Sequence, residues 1–171
     1  MAAGSLWKSI ADTYGGSRVK LIELEAEFYR YETKIEEVTV VAEAVWDQAR
    51  SCYMMPDGRT YEEAGSPTKK VTRPVHYLRR VQTLPQAHGV SFLCPKCFQT
   101  NKGAIGTHGV PVDFKGRGVP DECGIRNREG QPVRWGVSGS SLYDLSTTPS
   151  ILMLSGCAWH GYITNGEVTT I

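Results

Sequence analysis

Two short stretches carry side chains able to hold a metal. "CPKC" (residues 94–97) and "CAWH" (residues 157–160) each place two N or S donors two residues apart. One C-x-x-C alone is also the spacing of a thiol redox pair. Two such pairs fit Zn2+ better, because it favours four N or S ligands in a tetrahedron and each short turn delivers two of them. Thiolate softness points to zinc or iron and away from magnesium and calcium. The expected ligands are therefore Cys94, Cys97, Cys157 and His160, with Zn2+ as the cofactor. Gly156 and Gly161 leave the backbone around the second pair free to turn. The 59 residues between Cys97 and Cys157 exceed the spacing of a compact zinc finger, so such a metal ties the start of a domain to its end.

Other reactive residues are less constrained. Cys123, in "GVPDECGIRN", competes for the fourth ligand position or is a plain thiol, and Cys52 reads as a small packing residue. His108, in "GTHGVPV", lies in the insertion that the two pairs bracket, where it is either a neighbour of the metal or a turn residue. A nucleophile–base–acid set can be drawn from Ser150, His108 and either Asp113 or Asp144. Serines and threonines ahead of a strand more often satisfy turn backbone groups, so no catalytic residue is assigned. Gly116 and Gly118 lack the strand–glycine–helix context of a nucleotide site.

The elements that must position these residues change texture along the chain. Residues 18–55 contain neither Gly nor Pro. Leu21, Leu24, Phe28, Tyr31, Ile35, Val38, Ala42, Val45, Ala49 and Cys52 alternate three and four apart, the a/d seam of a heptad. Thr33 and Glu36 have the spacing of a helix capping box. Against this, Ile22, Leu24, Ala26 and Phe28 alternate at the strand period, and Val38, Val40 and Trp46 have strand propensity. The seam covers ten positions and the alternation four, so a helix is expected over 34–53 and, by a narrower margin, over 19–32.

Residues 56–68, "PDGRTYEEAGSPT", read as a loop. Beyond Lys69, strand-sized apolar runs alternate with Gly and Pro, and Asn165-Gly166 is a favoured two-residue hairpin turn. The expected fold class is α+β, with a helical segment and linker over 1–68 and a β-rich zinc-knuckle domain over 69–171. The helical face must pack on its own β domain or on a second copy, and the Gly65-Ser66-Pro67 linker favours a homo-oligomer.

The 19 basic and 18 acidic side chains leave a formal net charge of +1, so no long-range field recruits nucleic acid or an anionic membrane. A local patch of Lys69, Lys70, Arg73, Arg79 and Arg80 keeps phosphate contact open without making it the favoured reading. No apolar run reaches the roughly 20 residues of a bilayer span. The opening "MAAGSLWKSIADTYGG" lacks the apolar core of a signal peptide, so an intracellular location is expected.

"FLCPKCFQTNKGAIGTHGVPVDFKGRGVPD" and "RWGVSGSSLYDLSTTPSILMLSGCAWHGYITNGEV" together resemble a family of small uncharacterised proteins of tailed phages. The resemblance runs over roughly 88–171. It rests on Cys94 and Cys97, His108, the Asp144-Leu145 to Pro149-Ser150 segment, Cys157 and His160, and Asn165-Gly166. It implies a phage origin, the cytoplasm of an infected bacterium, and a metal site, and supplies no activity. The expected role is an accessory protein acting by binding an unidentified protein partner. A zinc hydrolase or amidase using His108, Ser150 and Asp144 is the alternative, and a thiol redox protein is the third reading.

Overall fold

The computed structural model describes residues 18–65, 68–153 and 156–171. Its described residues are dominated by strands, arranged in four sheets. Four strands make one antiparallel sheet: β1 (Arg18–Lys20), β12 (Glu167–Thr170), β11 (His160–Thr164) and β10 (Ile151–Leu152), in that order. A second four-stranded sheet has the order β5 (Thr68–Val81), β2 (Glu27–Val41), β6 (Gly89–Leu93), β7 (Gly109–Asp113). Two hairpins complete the strands: β3 (Val45–Asp47) with β4 (Cys52–Met54), and β8 (Gly136–Ser138) with β9 (Ser146–Thr148). The helices are short: α1 (Tyr61–Ala64) and α2 (Pro95–Asn101). No helix among the described residues is long and apolar enough to cross a membrane.

The chain divides into two compact units, Thr33–Tyr77 on the one hand and the residues up to Glu32 with Leu78–Ile171 on the other. The larger unit has the core. Val90 and Phe92 of β6 and Val110 and Val112 of β7 share one face of their strands. They are buried in one cluster with Ile151, Ile163 and Val168 of the first sheet, and with Trp135, Leu145 and Trp159. Aromatic edges meet faces within it, Phe92 on Trp159 at 5.9 Å and Phe28 on Phe114 at 6.5 Å between ring centroids. The C-terminal hairpin forms as its Asn165-Gly166 turn requires. Both residues have positive φ, and Thr164 pairs with Glu167.

The expected N-terminal helix is overturned, and with it the α+β class. Leu21–Leu24 form one 3-10 turn, after which 27–41 run as a single strand and 45–54 as a hairpin. Residues 1–17, Ser66 and Pro67 of the expected helical segment and linker lie outside the described residues. The seam mixed two environments. Leu21, Leu24 and Phe28 are core residues of the larger unit, whereas Ile35 and Val45 are 70% and 71% exposed. Thr33, Ile35, Val38, Thr39, Val40 and Val41 are β-branched, and the partner strand β5, distant in sequence, supplies the pairing that makes strand the better solution. Thr33 and Glu36 form no cap: Thr33 Oγ1 meets His76 Nδ1 at 2.9 Å, and Glu36 accepts from Tyr77 Oη at 2.7 Å. The true capping box is Thr60 with Glu63, at the start of α1.

The basic patch on β5 is largely neutralised by the glutamates of β2. Lys70 pairs with Glu37, Arg79 with Glu32 and Arg80 with Glu27. Exposed pairs of this kind add little stability, but they remove most of the local positive field.

The second sheet is locked where three strands face one another. Tyr29 is opposite Gly89, and Gly89 is opposite Asp113. Because Gly89 has no side chain, Tyr29 reaches across it and donates from Oη to Asp113 Oδ1 at 2.7 Å. A Cβ on Gly89 would lie 2.5 Å from Tyr29 Oη and 2.6 Å from the Val112 carbonyl oxygen. Gly89→Ala is therefore expected to destabilise the protein by about 1–3 kcal/mol through overpacking, read as a lowered urea midpoint with an unchanged slope.

Candidate metal centre

Cys94 directly follows β6 and is the N-cap of α2, with Pro95 at the first helical position, where its missing N–H costs nothing. The Cys94 carbonyl accepts from Phe98 N at 2.8 Å, and this turn brings Cys97 round toward Cys94. His108 is delivered by the sheet. Leu93 pairs with Gly109 in the β6–β7 ladder, and one step further Cys94 N–H donates to the His108 carbonyl at 2.9 Å. Cys157 arrives from the turn before β11, where Gly156 and Ala158 both have positive φ. Lys96 Nζ donates to the Cys157 carbonyl at 2.9 Å, clamping one cysteine turn onto the other.

The ligand atoms of Cys94, Cys97, His108 and Cys157 all lie within 4.8 Å of one another. Cys94 Sγ is 3.4 Å from Cys157 Sγ, and His108 Nε2 is 3.2 Å from Cys157 Sγ. A tetrahedron with metal–sulfur bonds of about 2.3 Å has edges of about 3.8 Å, so the four donors can close on one ion with small adjustments. His108 is oriented for this role. Its Nδ1 lies 3.2 Å from the Gly109 carbonyl oxygen, which can only accept, so Nδ1 carries the proton and Nε2 is the atom that would coordinate. Three sulfurs and one imidazole suit a soft or borderline metal ion.

Proton affinities reflect the crowding of the donors. Burial pushes the Cys94 thiol up to about 12. Burial acts in the same direction on Cys157, but hydrogen bonds from His108, Cys94 and Cys97 outweigh it and bring that thiol down to about 7. The hydrogen bond to Cys157, followed by that to the Gly109 carbonyl, raises His108. Metal binding would displace these protons, so affinity falls as pH falls.

The structure brings together three of the four ligands expected from sequence and puts His108 in the fourth place. His160 is elsewhere: its Nε2 is 3.1 Å from Ser150 Oγ, and its ring lies near that of Tyr162. The reason is the strand. Trp159 turns into the core and Gly161 and Ile163 follow on the buried side, so His160 and Tyr162 take the opposite face.

The hydrolytic set is not assembled. Asp144 accepts from the backbone and hydroxyls of Ser140 and Ser141, which hold its carboxyl at about 2. Ser150 bonds His160, and His108 faces Cys157. Asp113 is five residues along β7 from His108, roughly 16 Å at strand rise. It is fully buried, with Tyr29 and Tyr31 donating to Oδ1 at 2.7 and 3.1 Å and Arg134 Nη1 at 3.5 Å from Oδ2. Burial and then the Asp113 charge push both tyrosines above their ordinary range. Arg134 also donates to the Pro120 and Cys123 carbonyls, so this node holds the loop after β7. Cys123 stands there, buried, its thiol raised by burial. It is not among the four clustered donors. No signal in the sequence marked Tyr29, Tyr31 and Arg134 as partners of Asp113, because the cluster exists only across strands.

Comparison with family models, with curated proteins and with solved structures finds no match for this chain.

His108→Ala is expected to lower metal affinity by more than about a hundredfold, since even supporting residues around a metal are worth ten- to a hundredfold. His160→Ala should keep one metal per chain. Chelator competition on the two variants checks both. In protein stripped of metal, iodoacetamide should label Cys157 first at pH 8, because a thiol near 7 is mostly thiolate there and one near 12 is not. Mass mapping of the alkylated cysteines reads the order.

Proposed function

We propose that the chain is a zinc-stabilised binding protein whose metal is structural, an accessory protein of the tailed-phage family it resembles, acting inside the infected bacterium. The ligand set carries this reading. Structural zinc sites are closed by four protein donors, whereas catalytic ones keep a position for water, and here Cys94, Cys97, His108 and Cys157 supply all four. The scattering of Ser150, Asp144 and His108 among separate partners supports the same choice over a hydrolase. Its partners are proteins, a further copy of the chain included, to which the exposed side chains of Ile35, Val41 and Val45 are suited. Zinc joins β6 and α2 to the start of β11, so its binding free energy becomes folding free energy.

Protein purified without added metal should contain about one equivalent of zinc. Its cobalt-substituted form should show the intense visible bands of a tetrahedral thiolate site, and chelation should lower the melting temperature sharply. An exchangeable oxygen ligand, or ester or amide hydrolysis abolished by chelation, would replace this with the hydrolase reading. Metal-free protein with a reversible Cys94–Cys97 disulfide would replace it with the redox reading.

A further inference from the structure

The unit Thr33–Tyr77 contains a cavity that the metal centre does not use. The β3–β4 hairpin pairs Trp46 directly with Tyr53, so both rings stand on one face of the ribbon. They meet edge to face, 5.0 Å between centroids and 70° between planes. After β4 the chain reverses through a tight turn: Met55 N–H donates to the Arg59 carbonyl at 2.8 Å, and Asp57 Oδ1 accepts from Arg59 N at 3.1 Å. A bridge between Met54 and Thr60 then sets the start of α1 beside β4. The Thr60–Glu63 capping box fixes that start, and Gly65, with φ 61°, ends the helix after four residues. Tyr61 and Glu62 are thereby held against the hairpin. Together with Trp46, Tyr53 and Thr60 they line a half-open cavity of about 360 Å³, within the size range of small-ligand sites.

We propose that this cavity binds an alkylated ammonium group, carried by a small molecule or by a methylated lysine side chain. Three aromatic residues, Trp46, Tyr53 and Tyr61, line it, and the single charged residue of the lining, Glu62, is an acid. Electron-rich ring faces attract cations, and a group too alkylated to hydrogen-bond loses little on leaving water for such a site. Two rings near a right angle make a corner, which fits a compact tetrahedral cation. A sugar or other flat ring needs a coplanar platform instead. Trp46 and Tyr53 are 52% and 54% exposed although both are large aromatics, so a ligand can reach them. The two arginines between Trp46 and Tyr61 have partners of their own: Arg59 pairs with Asp57 at 2.7 Å, and Arg50 Nη1 lies on the Met54 sulfur.

The test uses the full zinc-loaded chain and follows the Trp46 indole and Tyr53 ring signals by NMR. The probes are choline, its neutral isostere 3,3-dimethylbutan-1-ol, a short trimethyllysine peptide and glucose. Choline or the peptide should shift both rings, and whichever binds more tightly identifies the source of the ammonium group. The isostere should bind at least about tenfold more weakly, because it keeps the shape and loses the charge. Trp46→Ala and Glu62→Gln should each weaken binding of the charged probe several-fold. Tyr53→Phe keeps the ring face and should bind as the native chain does, which guards against a variant that misfolds. Equal binding of choline and its isostere, shifts with glucose alone, or no shift with any probe would overturn the proposal. Zinc content measured on the same samples separates this result from any failure at the metal centre.

Discussion

The antiparallel register of β6 and β7 fixes both ends of the second sheet at once. At one end Gly89 opposes Asp113, leaving room for the Tyr29–Asp113 hydrogen bond. At the other, Leu93 opposes Gly109, and the ladder runs on to put the His108 backbone against Cys94. Side chains alternate across a strand, so a slip of one residue would turn Val110 and Val112 out of the core and carry His108 away from the thiols. The burial of four β6 and β7 side chains thus enforces the geometry of the ligands. The metal centre inherits its precision from apolar packing.

Cys157 completes the site from the far end of the chain, and its position depends on the same core. Trp159, two residues on, is buried against Phe92, two residues before Cys94. One aromatic contact therefore aligns the two cysteine turns before any metal binds, and the Lys96–Cys157 hydrogen bond adds to it. A metal bound by these donors would close a loop of some sixty residues. Such closure costs the unfolded chain more entropy than the native one, with a slow dependence on loop length. The link is most effective here because folding has already brought its ends together.

The smaller unit is built on a different balance. Among its described residues Met55 alone is buried, so its stability rests on strand pairing and turn chemistry. Turn residues hold the hairpin and α1 tightly enough to form the aromatic corner, while large side chains remain open to solvent.

The sequence by itself determined the local chemistry. Two cysteine turns announce a thiolate metal site, Asn165-Gly166 announces the terminal hairpin, and the Gly- and Pro-punctuated apolar runs announce β6, β7 and β11. Each is a feature of a few adjacent residues, with physics that needs no distant partner. Tertiary structure decided the rest. Residues 27–41 are a strand because β5 and β6 are there to pair with them, although their apolar spacing also fits a helix. His108 joins the thiols and His160 does not, because the β6–β7 ladder carries the first toward Cys94, while the burial of Trp159 turns the second to the opposite face of β11. Spacing along the chain says which donors exist. Hydrogen-bonded register and the side of a strand that is buried say which of them meet.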